Sequence, residues 1–398
     1  MSNPITHAPS EGPPTADGVL DRVNALVSVL RTRAPHTEQL RRMHPDNLRD
    51  LQESGVFRLA MPTDAGGYQA SEQIIAEVLA QIARGCPSTG WMCTIILASN
   101  NIPAMLTDDA SEEVYSTPDL RISTAIAPTA YAVVVDGGYR VTGEWRWNTA
   151  GVHGNWFIGG CMVAGEEDAG MRLMLMRGAD VRHRDSWHAM GLAGTATNTT
   201  IAEDVFVPSA RSILLADFAE GRYPARRYSD TPYFNRPWLL FMNSVSASPI
   251  VGIARGAMDC FMKTLPTRGP ITSTTWPRAA EAPVLHHQLA KAQLSLDAAE
   301  MFLHRLTETY EDTVHRPATM LERVQARAYI GHIASLARDC VYQLFEASSS
   351  SHTLLFRDIQ RYHRDIGVMC QHANIRPDTG NETYGRVLAG LEPHTQVL

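Results

Sequence analysis

"YAVVVDGGYRVTGEWRWNTAG", residues 131–151, sets the reading of the whole chain. Apolar and polar residues alternate on both sides of Asp136-Gly137-Gly138, the pattern of two strands joined by a tight turn in which glycine supplies the positive φ. "NWFIGGCMVAG" (155–165), "MRLMLMRG" (171–178) and "TTIAEDVFVP" (199–208) continue as short strands bounded by turn residues. Residues 121–215 therefore read as a central β domain, a barrel or sandwich.

The flanks follow a different period. On the N-terminal side, "HPDNLRDLQESGV" (44–56) has a start signal, a short apolar stripe and a glycine stop, and residues 71–106 read as two helices broken at "GCPSTG". Residues 19–120 are expected to form a helical domain. On the C-terminal side, residues 284–314 and 321–347 sustain apolar stripes at helical spacing. "IQRYHRDIGVMCQH" (359–372) adds a late helix that ends in a histidine. Residues 216–398 are expected to form a four-helix bundle. The fold class is thus α+β, in the order helices, β domain, bundle.

The composition is that of an ordinary globular protein: 398 residues, 44% hydrophobic, 19% charged, net charge −7. Without a basic run, a nucleic-acid role is not expected. Six cysteines lack a CxxC pair or ligand spacing, which suggests reduced thiols and a cytoplasmic location. Residues 1–18 are rich in proline and small polar residues and carry no basic and apolar leader, so a disordered tail is expected there. No apolar run has the length of a membrane helix. GxGxxG after a strand, GxxxxGK[ST], GxSxG and HExxH are all absent. His286 and His287, being adjacent on a helix, point about 100° apart and do not form a metal pair.

Five strings in order, "GVFRLAMPTDAGGY" (55–68), "CPSTGWM" (86–92), "GEWRWNTAG" (143–151), "GLAGTATNTTIAEDVFVP" (191–208) and "IVGIARGAMDCF" (250–261), resemble the acyl-CoA dehydrogenase superfamily over nearly the whole chain. The ending, residues 344–373, lacks the superfamily's glycine-rich turn. It is similar instead to the oxygenase components of two-component (group D) flavin-dependent aromatic monooxygenases.

That resemblance implies an enzyme that takes reduced flavin, FADH2 or FMNH2, from a separate NAD(P)H:flavin reductase. With O2 it would form a C4a-hydroperoxide and hydroxylate an electron-rich aromatic ring of phenol, polyketide-derived or indole type. The alternatives on the same fold are an acyl-CoA dehydrogenase and an amine N-oxygenase. A homotetramer or homodimer is implied as well, with no metal.

By family position, Trp91, Trp147 and Asn148 lie at the flavin ring, with backbone groups of Thr124, Ala125 and Ile126. Thr149 is placed near flavin N5, where a hydroxyl can hold the proton whose loss expels peroxide. Arg268 is expected on the flavin phosphate, its planar fork suited to phosphate oxygens. Ser350 and Ser351 are expected to reach the flavin, often across a subunit interface. His372 and Ala373 are expected between flavin and substrate. The imidazole would either accept the substrate proton or hydrogen-bond the hydroperoxide. Weaker substrate-side candidates are Asn100, His153 and Asn198. Relatives often carry Ser-Gly at Thr149-Ala150, a histidine near Ser99 or Asn100, and an arginine at Ala193. These departures point to a different substrate.

Overall fold

The computed structural model describes residues 15–395. Five helices come first: α1 (Ala16–Leu40), α2 (Pro45–Ser54), α3 (Glu72–Gly85), α4 (Pro87–Asn100) and α5 (Asp108–Tyr115). Most of the expected tail lies outside the described residues, but α1 begins at Ala16, inside it. The Thr15 hydroxyl accepts from Gly18 N–H and Asp17 sits in the first turn, which satisfies the helix start. Val19, Val23 and Leu30 then anchor the helix in the core. α4 is buried on every side, as an apolar helix without a polar face requires. Gly90 permits this: a Cβ there would stand 2.5 Å from that of Ala83 on α3.

Seven strands follow: β1 (Ile122–Val135), β2 (Gly138–Asn148), β3 (Trp156–Val163), β4 (Arg172–Arg177), β5 (Arg182–Arg184), β6 (Asn198–Pro208) and β7 (Ser212–Leu214). The β1–β2 hairpin forms around the expected turn, with Val135 opposite Gly138 and Gly137 at φ 76°. All strands join one sheet in the order β5-β6-β2-β1-β3-β4-β7, with β1 and β3 parallel. No ladder joins β5 to β7 among the described residues. One face wraps its own core of Trp145, Phe157, Met174, Val141 and Val207.

Helices resume with α6 (Leu215–Ala219), α7 (Trp238–Thr264), α8 (Pro283–Asp312), α9 (Met320–Glu346), α10 (Asp358–Met369) and α11 (Pro377–Leu388). A capping box at Thr319 and Glu322 opens α9. The long helices α7, α8 and α9 pack together, and α3 packs along α7, so helices from both ends of the chain share one core. Two glycines make the closeness possible. A Cβ at Gly252 would meet Ala80 O at 2.1 Å, and one at Gly256 would meet the Tyr362 ring at 2.4 Å. No helix among the described residues is long and apolar enough to cross a membrane.

Candidate active site

A cavity of about 340 Å³ opens where α4, the end of β2, the 185–197 loop and the turn after α10 meet. Its walls are largely apolar: Trp91, Trp147, Trp187, Leu192 and Met369. The polar lining comes from Thr149, Thr195, Thr197, Gln371 and His372, and Ala373 completes it. Five of the expected residues, Trp91, Trp147, Thr149, His372 and Ala373, therefore meet at one place.

The backbone around the cavity is strained. Trp147, Ala150, Leu192 and Ala196 are four of the nine non-glycine residues with positive φ among the described residues. Such conformations cost on the order of 1–3 kcal/mol each and persist where the surroundings impose them. Between Trp145 and Asn148 the β2–β6 register slips, which turns Trp147 out of the ladder at φ 62° and leaves its side chain 69% exposed at the cavity.

The 185–197 loop is tied down at several points. Asp365 on α10 accepts from Leu192 N–H at 2.6 Å, and Leu192 C=O accepts from Trp187 Nε1 at 2.9 Å and from the Thr195 hydroxyl at 2.8 Å. The Thr195 and Thr197 hydroxyls lie 2.7 Å apart, and those of Thr197 and Thr149 2.9 Å apart. α10 is fixed in turn: Arg361 and Arg364 pair with Glu38 on α1, and Tyr362 donates to Arg84 O.

His372 lies three residues beyond the end of α10, in a turn rather than in the helix that the sequence suggested. Arg327 on α9 donates to Ala373 O and Asn374 O, and Asn374 donates to Asn243 on α7, so two helices pin that turn. The imidazole packs edge-on against Trp91, ring centroids 5.2 Å apart. Its Nδ1 accepts from Asn374 N–H at 3.2 Å, which leaves the neutral ring's proton on Nε2. Desolvation by surrounding protein, then the Arg327 guanidinium, pushes its pKa down to about 4, although the residue as a whole is exposed where it lines the cavity.

The other expected residues lie elsewhere. Thr124 bonds Ser99 through their hydroxyls at 2.6 Å, Ala125 faces the sheet core, and Ile126 packs at the edge of the helical core; none lines the cavity. Asn148 donates to Ser123 and Thr200 beneath β2, and its buried Oδ1 has no partner among the described residues. Asn100 does not line the cavity either: it is fully buried and staples Phe57 O, Leu120 O and Ile122 N–H. His153 is likewise outside the cavity, its pKa lowered to about 4 by burial and then by Arg121. Asn198 accepts from Ser186 N–H and Trp187 N–H, so it shapes the loop without lining the cavity. The sequence reading missed Trp187, Leu192, Thr195 and Thr197, although the last three fall within the quoted 191–208 string.

Arg268, Ser350 and Ser351 come together in a second cavity of about 560 Å³, with His352 and Arg357. Arg268 Nη2 donates to Ala347 O, while its buried Nη1 has no partner among the described residues. The two cavities share no lining residue. No group of three or more metal-ligating side chains occurs among the described residues.

Comparison with known proteins gives the family. Residues 244–377 match the family model "Acyl-CoA dehydrogenase, C-terminal domain". The flavin-dependent monooxygenase, oxygenase subunit HsaA, of Rhodococcus jostii is 32% identical over 376 residues, 94% of this chain and 98% of that protein. The FADH(2)-dependent resorcinol hydroxylase, oxygenase component, of a Rhizobium species is 27% identical over 416 residues, 99% of this chain and all of that protein. XiaF from Streptomyces, solved in complex with FADH2 and glycerol, superposes with a TM-score of 0.89 at 26% identity, covering 96% of this chain and 98% of that one. An apolar cavity walled by tryptophans, a neutral imidazole beside it and end-to-end similarity at this level lead to one conclusion: the chain belongs to the oxygenase subunits of the flavin-dependent monooxygenases, on an acyl-CoA dehydrogenase-like fold.

Proposed function

We propose that this oxygenase takes FADH2 or FMNH2 from a separate reductase and hydroxylates an electron-rich aromatic ring, of phenol, polyketide-derived or indole type, held in the tryptophan-walled cavity. The convergence of Trp91, Thr149 and His372 on that cavity carries the reading. The residues present fit a flavin. Flat apolar walls suit an isoalloxazine, and the unpartnered Arg268 Nη1 beside Ser350 and Ser351 is a donor suited to a phosphate. Reduced flavin, when bound, supplies the electrons that activate dioxygen for transfer to the ring.

The protein's part is exclusion and proton control. Trp91, Trp147 and Trp187 keep water from the reacting atoms. Thr149 holds the proton at flavin N5. His372, neutral and protonated on Nε2, serves as a hydrogen-bond donor to the oxygen being transferred. Its depressed pKa makes it a weak base at neutral pH. Asn148 and the β1 segment 124–126 support the ring site from behind, and Ala373 leaves room beside it.

A second copy of the chain completes the proposed site, with Arg268, Ser350 and Ser351 reaching the flavin across a subunit interface. The assembly proposed is a homodimer or homotetramer. Six free cysteines fit a reducing compartment, the cytoplasm. A dehydrogenase would need a carboxylate base, and no Asp or Glu lines the cavity.

The test is single-turnover. Mix protein and reduced flavin with O2 and a panel of phenols and indoles, then quantify hydroxylated product and peroxide. Product should form with at least one member, and peroxide alone across the panel would defeat the reading.

A further inference from the structure

Three threonine side chains run in file along the wall of the cavity. Thr149 lies 2.9 Å from Thr197, Thr197 lies 2.7 Å from Thr195, and Thr195 lies 2.8 Å from Leu192 C=O, all hydroxyl oxygens. Thr195 is fully buried, and Thr149 and Thr197 are each 7% exposed. Each hydroxyl has one proton to give, and a carbonyl can only accept. Three gaps and three protons admit one ordering that bridges them all. Thr195 donates to Leu192 C=O, Thr197 donates to Thr195, and Thr149 donates to Thr197. Running the file the other way leaves the carbonyl without its hydroxyl donor and one proton unused. Chains of this kind strengthen one another in a low-dielectric interior. Leu192, the end of the file, is itself fixed by Asp365 and by Trp187 Nε1.

The consequence falls on Thr149. Its proton is committed to Thr197, so what it offers the cavity is a lone pair. We infer that Thr195 and Thr197 are positioning residues that make Thr149 an acceptor and thereby let the site choose flavin protonated at N5 over oxidised flavin. This rests on the proposed placement of flavin N5 at Thr149. Reduced flavin carries N5–H and can donate to that lone pair, whereas oxidised flavin presents a second lone pair and gains no bond. The file thus favours loading of the form that reacts with O2 and release of the form left after turnover.

The experiment measures affinity rather than turnover. The full-length protein is titrated with reduced flavin without oxygen, and separately with oxidised flavin, to give the ratio of the two dissociation constants. Thr197→Val keeps the shape and removes the link. It should lower the ratio of oxidised to reduced dissociation constants about tenfold, the scale of one hydrogen bond made or withheld. That equals a fall of about 30 mV in the two-electron midpoint potential of the bound flavin. Thr195→Val, the second variant, should act in the same direction, and Thr197→Ser should keep the wild-type ratio. An unchanged ratio in both valine variants, with a wild-type melting profile, overturns the inference. Thr149→Val separates the two layers. If it shifts the ratio while the Thr197 and Thr195 variants do not, the proton ordering is wrong and the N5 placement survives. If it changes neither affinity, the placement itself fails.

Discussion

In the cavity around Trp91 the threonine hydroxyls bond one another, the imidazole is neutral, and strained backbone pushes tryptophan into place. The cavity around Arg268 mixes four serines, His352 and Arg357 with Glu346 and with apolar Ile271 and Leu285, and a buried guanidinium nitrogen of Arg268 has no partner among the described residues. On the proposed reading the first region serves the chemistry and the second holds the flavin phosphate. A ligand that is flat and apolar at one end and phosphorylated at the other divides naturally between them. The comparison teaches that chemistry and anchoring are separable here, so damage to one should spare the other.

The strongest way to break that separation is His372→Ala. Hydroxylation should fall by ~10²-fold, the scale of a lost hydrogen-bond donor at a reacting oxygen, with peroxide rising and reduced-flavin affinity retained. Equal product yield in single-turnover oxidation would remove His372 from the chemistry. Arg268→Ala should do the converse. Reduced flavin should bind more weakly by roughly 1.5–3 kcal/mol, the worth of a hydrogen bond to a charged group, while flavin that does bind still hydroxylates. Unchanged titration would leave the second cavity without its assigned role.

Asp365→Ala sharpens the picture on the first cavity alone. It strands the Leu192 N–H, and chemical denaturation should show a loss of about 1–3 kcal/mol. Asp365→Asn keeps the accepting oxygen and should be close to wild type. Burial already pushes this carboxyl up to about 7, so the neutral form is within reach at ordinary pH.

The smallest expected effect is an absence. A histidine held down at about 4 stays neutral as pH falls from 8 through 6, and gains its proton only on passing 4. The pH profile of product yield should therefore show no limb near 6.5 that His372→Ala abolishes. Such a limb would mean that the ring titrates in the working range.

Regular elements were legible because their periods are. The hairpin at Asp136-Gly137 and the amphipathic α8 and α9 follow directly from spacing. Trp91, Trp147, Thr149 and His372 came with the family strings, not with periodicity. Trp187, Thr195 and Thr197 escaped because they sit in an irregular loop whose shape is set by left-handed residues and by Asp365, 168 or more positions along the chain. Asn100 and Asn198 fall outside the cavity for a general reason. An amide that staples backbone and one that binds substrate look alike in sequence, and only burial and partners separate them. The start of α1 was missed because proline and glycine nearby outweighed the cap at Thr15.

Gly256 has a reach beyond its own contacts. The Tyr362 ring fills the space a methyl group would need, and Tyr362 rides on the helix that leads into the His372 turn. Replacing that glycine even with alanine would tilt a lever whose far end is the imidazole. The expected phenotype is an uncoupled oxygenase, one that still folds and loads flavin but spends its reducing equivalents on peroxide, from a lesion no inspection of the cavity would suggest.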